Sequence, residues 1–596
     1  MSAKVIDDVL TRQGYDGTRL MHILREVQDE LGWLSAQTIT AIAQGVRRPR
    51  VHVARTAEFY TFFNTTPVGD YRVLFSDNIT DRFNGSLALR DRLCSRLALR
   101  PGELAEDGLA SVDTTSCTGL SDQGPAALVN YRAVTRLTPD RVDEMAELIR
   151  RRVPVDDWPA QWFVVESNIR RKDRLLGNEV APGEPIAAAL RRGPENVLSE
   201  LSAAALRGRG GAGFNTATKW RVCRDAPGYA HYVVGNADEG EPGTFKDRVL
   251  LASCPDLIFD GMVISGMVNG AQQGFLYLRG EYRFLYDHLQ EVLARRRREG
   301  LLGINIMGVG FNFDIDICLG AGAYICGEES ALIESLEGNP GKPRIRPPYP
   351  VTHGFLGQPT AVNNVETLAL GALITVHGAD WLDAVGTPSS AGTTLLSVSG
   401  DVDAPGIYEY PYGVRIAEVL EAAGARDTQA VQIAVGAGKC LVDTEFRRRI
   451  AMEDASSTGS FMVFDRTRDL FQVAQNFVEF FAHESCGFCT ACRVGTSVNR
   501  RIMDKIADGR GSQYDLEELT RMHRHMQGAS HCALGSTATM ALRDIINKFR
   551  PAFERRLLSL DFEPAFDLDA ALSEAREITH RDDPLAHVVD DRVGLR

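Results

Sequence analysis

The 596-residue sequence lacks any run of about 18 uninterrupted apolar residues that would cross a membrane as one helix. The longest apolar stretch, residues 256–278, is interrupted by Asp260, Asn269 and two glutamines. The N-terminal segment MSAKVIDDVL has neither the basic region nor the apolar region of an export signal. We therefore expect no membrane span and a cytoplasmic location.

An excess of basic residues is also absent, since 66 Lys and Arg face 79 Asp and Glu. A net charge of −13 argues against broad nucleic-acid binding, which requires a basic face against the phosphates. The one dense basic run, residues 295–298, follows a helical pattern and is interpreted as a solvated helix end. The 11 cysteines are odd in number and unevenly spread, which favours free or metal-binding thiols over disulfides.

The length predicts about three to five domains, and the pattern of apolar residues changes several times along the chain. Thr138 and Pro139 mark the start of one helix, as N-cap and first helical residue. We predict a multidomain α/β protein with these parts: helices in 1–64, a small α/β domain in 65–155, a parallel α/β sheet in 165–385, a strand-rich module in 390–465, helices in 466–556 and a charged tail in 557–596. The tail is either an amphipathic helix that binds a partner or a solvated end.

The strongest chemical motif is HESCGFCTACRVG, in which two residues separate Cys486 from Cys489 and Cys489 from Cys492. Three thiolates in such a loop surround one centre, as iron–sulfur ligation requires. The trio is not followed by the C-x3-C-P of two-cluster ferredoxins, so Cys532, the only later cysteine, is the natural fourth ligand. Structural zinc prefers two separated C-x2-C pairs, which leaves a zinc-stapled interaction protein as a remote alternative. We predict one [4Fe–4S] cluster.

A second motif, LRGRGGAGFNTATKW, contains four glycines in six residues. Gly208, Gly210 and Gly213 satisfy G-x-G-x-x-G, but they follow a helical pattern where a Rossmann fingerprint needs a strand. The loop, flanked by Arg209 and Lys219, would let the backbone approach a flat ring or a phosphate. A plain surface loop is the alternative.

Two further stretches, GNADEGEPGTFKDR and LGAGAYICGEESALIESLEG, carry acidic residues at the ends of predicted strands or at a helix start. Open α/β sheets bind ligands at the carboxyl ends of their strands. The acidic and amide residues concerned are Asn236, Asp238, Glu239, Glu241, Glu328 and Glu329. Glu328 and Glu329 either bind ribose hydroxyls or complement the helix dipole. Cys326 is interpreted as merely packed.

Residues 165–550 resemble the NADH-binding flavoprotein subunit of respiratory complex I and its soluble relatives. The motifs that carry the resemblance are, in order along the chain, GRGGAGF, NADEGEPGTFKDR, GAGAYICGEESAL, RPPYP, NNVET and ESCGFCTACRVG. The resemblance implies a Rossmann-like domain that binds FMN and NAD(H), a ubiquitin-like β-grasp module and a helical [4Fe–4S] domain. The cofactor-binding residues that it implies are Gly208, Arg209, Gly210, Gly211, Ala212, Gly213, Phe214, Lys219, Asn236, Asp238, Glu239, Glu241, Tyr324, Gly327, Glu328, Glu329, Arg346, Tyr349, Asn363 and Asn364. Glu241 and Glu329 are the implied catalytic residues, and Arg346 and Tyr349 are placed beside the adenosine half.

The N-terminal part, through AEFYTFFNTTPVGDYRV and LTPDRV, resembles the thioredoxin-like partner of the same enzyme. That family holds a [2Fe–2S] cluster with C-x4-C and C-x3-C motifs. Here Ser76, Asp81, Cys117 and Ser121 stand at the four positions, and one thiol does not hold a cluster that takes four. We therefore expect no [2Fe–2S] cluster in residues 65–155. This ligand loss resembles the diaphorase flavoprotein subunits of soluble NAD-reducing [NiFe] hydrogenases.

The expected reaction follows from the resemblance and from electron counting. Nicotinamide exchanges two electrons as a hydride, and an iron–sulfur cluster moves them singly, so FMN must stand between them. We expect electrons to pass through the cluster at Cys486, Cys489, Cys492 and Cys532 to partners in a heteromultimer: an iron–sulfur diaphorase small subunit and hydrogenase subunits. The same diaphorase in a soluble formate dehydrogenase, and the complex I subunit itself, remain alternatives. Glu328 and Glu329 would repel a 2′-phosphate, which favours NAD over NADP.

Overall fold

The computed structural model describes residues 2–436, 438–558 and 568–582. Within these residues the chain is a mixed α/β protein of several domains, with a four-stranded, a five-stranded and a six-stranded sheet and helices at both ends. The tail contains the helix Leu568–Thr579, and the rest of the predicted tail, residues 559–567 and 583–596, lies outside the described residues.

The N-terminal region is helical, as the apolar pattern predicts. Its helices are Ser2–Arg12, Leu20–Leu31, Ala36–Gly45 and Arg50–Phe59. Leu20, Leu24 and Val27 are fully buried on one helical face. That helix stops at Gly32, whose φ of +79° favours glycine.

The next domain contains a four-stranded sheet in the order β2-β1-β3-β4. Its strands are β1 (Tyr71–Ser76), β2 (Ala110–Thr115), β3 (Ala127–Val129) and β4 (Arg132–Val134), and its helices are Ile79–Phe83, Ser86–Leu97 and Pro139–Arg150. β1 and β2 are parallel, whereas β3 runs antiparallel to both of its neighbours. The Thr138 side chain accepts from the Arg141 amide, which confirms the predicted helix start. This is the thioredoxin-like domain.

The central domain contains a five-stranded sheet in the order β10-β6-β7-β9-β8. The short strand β5 (Ile169–Arg171) precedes its strands, which are β6 (Tyr232–Ala237), β7 (Gln273–Leu278), β8 (Gly303–Ile306), β9 (Phe311–Leu319) and β10 (Thr360–Asn364). Four strands are parallel, as predicted, and only the edge strand β8 is antiparallel. The packed helices are Glu184–Arg192, Pro194–Ala203, Thr216–Asp225, Lys246–Ser253, Pro255–Asn269, Tyr286–Arg298, Glu329–Leu336, Pro350–His353, Val365–His377 and Ala379–Asp383.

The strand-rich module is a six-stranded sheet in the order β16-β15-β17-β13-β14-β5. After the two-stranded ribbon β11 (Gly386–Thr387) and β12 (Ser390–Ala391), its strands are β13 (Thr393–Gly400), β14 (Gly406–Pro411), β15 (Thr428–Ile433), β16 (Lys439–Val442) and β17 (Ser460–Asp465), with the helix Ile416–Ala423. β5 comes from the segment predicted to begin the central domain, yet it pairs with β14 and extends this sheet. The sequence pattern misses this because three residues are too few to show a period.

The C-terminal region consists of helices, as predicted. They are Leu470–Glu484, Thr490–Ala507, Gln513–Ala529, Ala533–Thr537, Met540–Lys548 and Arg550–Glu554. Asp544 accepts from the Cys440 amide at 2.8 Å, and Lys548 donates to the Cys440 carbonyl, so one helix covers the edge strand β16. No single described helix is long and apolar enough to cross a membrane, and the apolar pair Lys246–Ser253 and Pro255–Asn269 is bent by 95°.

Candidate functional site

The glycine-rich loop folds back on itself at the carboxyl end of the central sheet. The Gly208 amide donates to the Phe214 carbonyl at 2.9 Å. Gly211 has a φ of +109°, which a residue with a side chain rarely adopts. A Cβ on Gly210 would lie 3.3 Å from the Asn364 Cβ, so the loop lies directly on the end of β10. The loop carries seven of the predicted binding residues: Gly208, Arg209, Gly210, Gly211, Ala212, Gly213 and Phe214.

Amide side chains and one lysine surround the carboxyl ends of β6 and β10. Asn236 donates to the Gly327 carbonyl at 3.0 Å. Lys219 donates to the Val362 carbonyl at 3.0 Å and pairs with Glu329 at 2.9 Å. The structure therefore brings three separate predicted motifs to one edge of the sheet, where open α/β sheets bind ligands.

Asn363 and Asn364 end β10 at the same edge of the sheet. Asn363 accepts from the Trp220 ring nitrogen at 2.8 Å. Asn364 caps the helix Val365–His377 by accepting from the Glu366 amide at 3.0 Å. Both residues are tied to the central domain, since Asn364 also donates to Asp247 at 2.6 Å, so the two residues form a floor below the loop.

The side chains of two predicted binding residues, Arg209 and Glu239, form hydrogen bonds to other parts of the protein. The Arg209 guanidinium is 5% exposed and donates to the Tyr412 hydroxyl and the Ala391 carbonyl, each at 3.1 Å. It is therefore directed into the strand-rich module, and only its backbone belongs to the loop surface.

The Glu239 carboxylate accepts from the Asp247 amide at 2.9 Å and from the Tyr282 hydroxyl at 2.8 Å. Burial raises the pKa of Glu239 to about 7. This carboxylate anchors the start of the helix Lys246–Ser253 and is not free for a ligand.

A buried charged network that the sequence interpretation missed lies beneath the loop. Lys246 is 3% exposed on its side chain and pairs with Asp247 at 2.6 Å and with Glu366 at 3.0 Å. Although burial acts against the charged form, Asp247, Glu366 and Glu239 raise the pKa of Lys246. The signal was present as Lys-Asp in GTFKDR, but only the fold shows that this pair is buried.

Glu241 connects the central domain to the strand-rich module. Its Oε1 accepts from the Val435 amide at 2.8 Å and the Gly436 amide at 3.1 Å, and its Oε2 accepts from the Thr458 hydroxyl. A Cβ on Gly211 would lie 3.1 Å from Thr458 Cγ2. Thr458 thus lies between Glu241 and the glycine loop, and the module forms one wall of the site.

The other wall is the start of the helix Glu329–Leu336. Glu328 caps this helix by accepting from the Ser330 and Ala331 amides at 3.1 Å, so its dipole role is confirmed. Its second oxygen lies 2.9 Å from Arg346 Nη1. Tyr349, three residues after Arg346, is 52% exposed and available to a ligand.

These residues fit a flat, phosphate-bearing cofactor such as FMN. The buried Asp238 Oδ2 has no hydrogen-bond partner, and burial raises the pKa of Asp238 well above its ordinary value. Phe214 is 55% exposed on the loop, although an aromatic ring of this size normally packs away from water. A buried acceptor without a partner and an exposed ring are both expected where a ligand completes the site.

The four predicted cluster ligands lie around one cavity. Its lining residues are Ile325, Pro343, Ser485, Cys486, Phe488, Cys489, Cys492, His531, Cys532 and Leu534. Gly535 permits this approach, because a Cβ there would lie 2.8 Å from the Cys492 Cβ. Burial raises the pKa of Cys492 and of Cys532 to about 11, so a cationic metal centre is needed to hold them as thiolates.

The donor set fits a cluster better than a single ion. Four sulfur donors match the four-cysteine ligation of a [4Fe–4S] cluster. Within the described ranges no three His, Cys, Asp or Glu side chains are grouped as ligands of a single metal ion, and the four thiols line one shared cavity. Ile325 and Pro343, which precede and follow the helix Glu329–Leu336 in sequence, also belong to this lining, so the cavity lies against both ends of that segment.

Polar side chains in the thioredoxin-like domain bond to one another around Ser76, Asp81 and Ser121, although Asn78 Oδ1 and Asp81 Oδ1 are buried without a hydrogen-bond partner. Ser76 donates to Asp81 at 2.6 Å, and Asn78 donates to the Ser121 hydroxyl at 2.8 Å. Cys117 is fully buried, and its carbonyl accepts from Arg279 at 2.8 Å. Burial raises the pKa of Asp81 to about 7. Ser76, Asp81 and Ser121, three of the four positions considered in the sequence analysis, thus bond to neighbouring side chains.

Three family models match the chain. The Nuo51 FMN-binding domain matches residues 201–370. The iron–sulfur binding region of NADH-ubiquinone oxidoreductase F matches residues 472–556. The thioredoxin-like [2Fe–2S] ferredoxin model matches residues 6–150.

Relatives with known names extend over most of the chain. The alpha subunit of the NAD-reducing hydrogenase HoxS from Cupriavidus necator is 42% identical, over 95% of this chain and 97% of its own length. The NADH-quinone oxidoreductase F protein of Aquifex aeolicus is 40% identical, over 62% of this chain and 88% of its own. A crystal structure of an NAD+-reducing [NiFe]-hydrogenase in the H2-reduced state contains a chain that superposes with a TM-score of 0.88 at 43% identity, covering 96% of this chain and 98% of that one.

Proposed function

Because the chain belongs to the family of NAD-reducing hydrogenase alpha subunits, we propose that it is a diaphorase subunit that exchanges hydride between NAD(H) and FMN. Single electrons then pass through a [4Fe–4S] cluster to or from a hydrogenase module. The observation that carries this proposal is the position of the four-cysteine cavity, which is lined by Ile325 from the Tyr324–Gly327 segment, and the Gly327 carbonyl of that segment accepts from Asn236 at the edge of the sheet where the glycine loop lies. FMN supplies the chemistry that converts a two-electron hydride into single electrons.

The residues of this chain hold and orient the reactants. The loop backbone from Gly208 to Phe214, with Lys219 and the floor at Asn363, would hold the flavin. Glu241 and Glu329 are anionic and would stabilise the positive charge that develops on nicotinamide as hydride leaves. Their ties to Thr458 and Lys219 fix their carboxylates on opposite walls, so little reorganisation is needed during the reaction.

Nucleotide choice follows from charge at the adenosine side. Glu328 and Glu329 would repel the 2′-phosphate of NADP, while the charge of Arg346 is already offset by Glu328 at 2.9 Å. We expect kcat/KM for NADH to exceed that for NADPH by at least about tenfold, an energy difference of about 1.4 kcal/mol.

We further propose that the thioredoxin-like domain carries no [2Fe–2S] cluster. The support is the Ser76–Asp81 and Asn78–Ser121 bonding described above. EPR of the reduced full-length Cys532→Ser chain tests this, because loss of the [4Fe–4S] signal leaves any [2Fe–2S] signal visible alone. Such a signal would refute the proposal.

The partners we propose are an iron–sulfur diaphorase small subunit and hydrogenase subunits, in the cytoplasm. The support is the similar protein from Cupriavidus necator, a subunit of a hydrogenase. Two experiments distinguish this assignment from a formate dehydrogenase. One identifies the subunits that co-purify with the chain, and the other compares NAD reduction with hydrogen and with formate as the electron donor.

The finer fold assignments are also proposals. The parallel arrangement β10-β6-β7-β9 supports a Rossmann-like domain in residues 165–385. The hairpin β13–β14, the helix Ile416–Ala423 and the parallel pairing of β13 with β17 support a ubiquitin-like module in 390–465. β5 is an addition to that module. We also propose the other domain boundaries, which are 1–64, 65–155, 466–556 and 557–596.

Analysis of the purified chain tests the function directly. We expect flavin released on denaturation, about four irons per chain and NADH-dependent reduction of an artificial acceptor. A colourless preparation with one zinc per chain would refute the diaphorase and support the interaction protein.

A further inference from the structure

One carboxylate joins three parts of the chain just before the cysteine motif. Glu484 ends the helix Leu470–Glu484, two residues before Cys486. Its Oε1 accepts from the Ser116 hydroxyl at 2.9 Å, and its Oε2 accepts from the Tyr324 amide at 3.0 Å. His483 Nδ1 lies 3.3 Å from the same Oε1, and the Glu484 side chain is only 10% exposed. Both oxygens of a nearly buried carboxylate are therefore used to join distant segments.

The Tyr324 end of this junction lies between the two redox sites. A Cβ on Gly240, in the NADEGEPG loop, would lie 2.9 Å from the Tyr324 ring. The ring also packs edge-on against Phe480, with centroids 5.0 Å apart. The next residue, Ile325, lines the cysteine cavity. Fixing the Tyr324 amide thus fixes how the nucleotide-binding side sits against the cluster side.

The Ser116 end belongs to the thioredoxin-like domain and is adjacent to Cys117. The same helix that ends at Glu484 contacts this domain at two other points. Asn476 donates to the Asp77 carbonyl at 2.8 Å, and Glu479 pairs with Arg82 at 2.6 Å. The domain therefore lies along the helix, and Glu484 is the contact that also reaches the Tyr324 segment.

We propose that Glu484 is a positioning residue that holds the cluster loop, the Tyr324–Gly327 segment and the thioredoxin-like domain in one arrangement. The domain then supports electron transfer through structure, without a metal centre of its own. This inference rests on the function proposed above. Glu484 is also two residues before the proposed cluster ligand Cys486 in the sequence. A negative charge at this position disfavours electron uptake by the cluster, because reduction adds a further negative charge.

Four variants of the full chain test the proposal. Glu484→Gln keeps an acceptor oxygen and the side-chain size but removes the charge, so the midpoint potential of the cluster rises while KM for NADH stays unchanged. Glu484→Ala removes both contacts, and we expect the stopped-flow rate of cluster reduction by NADH to fall by about tenfold or more, since small displacements of reacting groups slow reactions strongly. Ser116→Ala removes only the domain contact and should give a smaller fall in the same rate. Glu479→Gln is the control, because it weakens a domain contact on the same helix without touching the Tyr324 segment.

The outcomes separate the possibilities. The proposal would be overturned if the midpoint potential of the cluster were unchanged in Glu484→Gln and the rate of cluster reduction by NADH were unchanged in Glu484→Ala. It would also be overturned if Glu479→Gln changed the potential and the rate as much as the Glu484 variants do. If Glu484→Ala does not fold, Glu484→Gln and Ser116→Ala decide on the same measurements. A wild-type chain with neither flavin nor cluster would refute the proposed function, and this inference with it, before any variant is compared.

Discussion

Replacing Lys246 by methionine should destabilise the central domain strongly. Lys246 is the only lysine paired with the buried Asp247 and Glu366 carboxylates among the described residues, and its two ion pairs measure 2.6 and 3.0 Å. The side chains of Asp247 and Glu366 are only 4% and 2% exposed. Removing one partner of a buried ion pair leaves an uncompensated charge and costs about 3–5 kcal/mol.

That cost corresponds to a lower melting temperature by about 6–20 °C, at roughly 2–4 °C per kcal/mol for a cooperative unit of this size. The stability lost in Lys246→Met should also depend on pH. Burial raises the pKa of Glu366, and the Lys246 charge opposes that shift, so the pKa rises further in Lys246→Met. A carboxyl group with a raised folded pKa binds more protons when folded, and stability then falls as pH rises above its unfolded value. The deficit should therefore be larger at pH 8 than at pH 6.

Scanning calorimetry of the full chain measures both effects. Lys172→Met, at an exposed lysine, is the matched control and should change stability by no more than about 0.5 kcal/mol. Adding Glu366→Gln to Lys246→Met should recover part of the loss, because it removes a buried charge that has lost its nearer partner and keeps only Arg209, at 3.9 Å. Melting of Lys246→Met within about 2 °C of wild type at both pH values would contradict the assignment of a buried ion-pair network.

Three further predictions concern the cofactor sites and the thioredoxin-like domain. Cys532→Ser should lose the brown colour and most of the iron, whereas Cys117→Ser should keep both; iron retained in the former would exclude Cys532 as the fourth ligand. Gly211→Ala should lower the flavin content several-fold, because φ is +109° and the new Cβ lies 3.1 Å from Thr458; Gly308→Ala, with a φ of +75° and open space around it, is the control for backbone strain alone. Asp81→Asn should stabilise the chain more at pH 8 than at pH 5, since burial raises the pKa of Asp81 to about 7 and the wild-type chain loses stability as the pH rises from the unfolded pKa of about 4 through that value; an equal effect at both pH values would show that Asp81 is not a buried titrating group.

The sequence alone determined the features that depend on short stretches of chain. Three cysteines in seven residues identify a cluster loop, because ligand spacing is a local property. Thr138 as N-cap and the apolar face ending at Gly32 were correct for the same reason: capping and helical periodicity act within a few residues.

The tertiary structure decided which polar side chains remain available to ligands. Arg209 is adjacent to the glycines in sequence, but its guanidinium donates to the hydroxyl of Tyr412, a residue of the strand-rich module 203 positions away. Glu484 is joined to Ser116 across 368 residues and to Tyr324 across 160. A buried charged or polar group must find a partner wherever the fold supplies one. Spacing along the chain therefore identifies the motifs, and burial determines which of their side chains serve the ligand and which serve the fold.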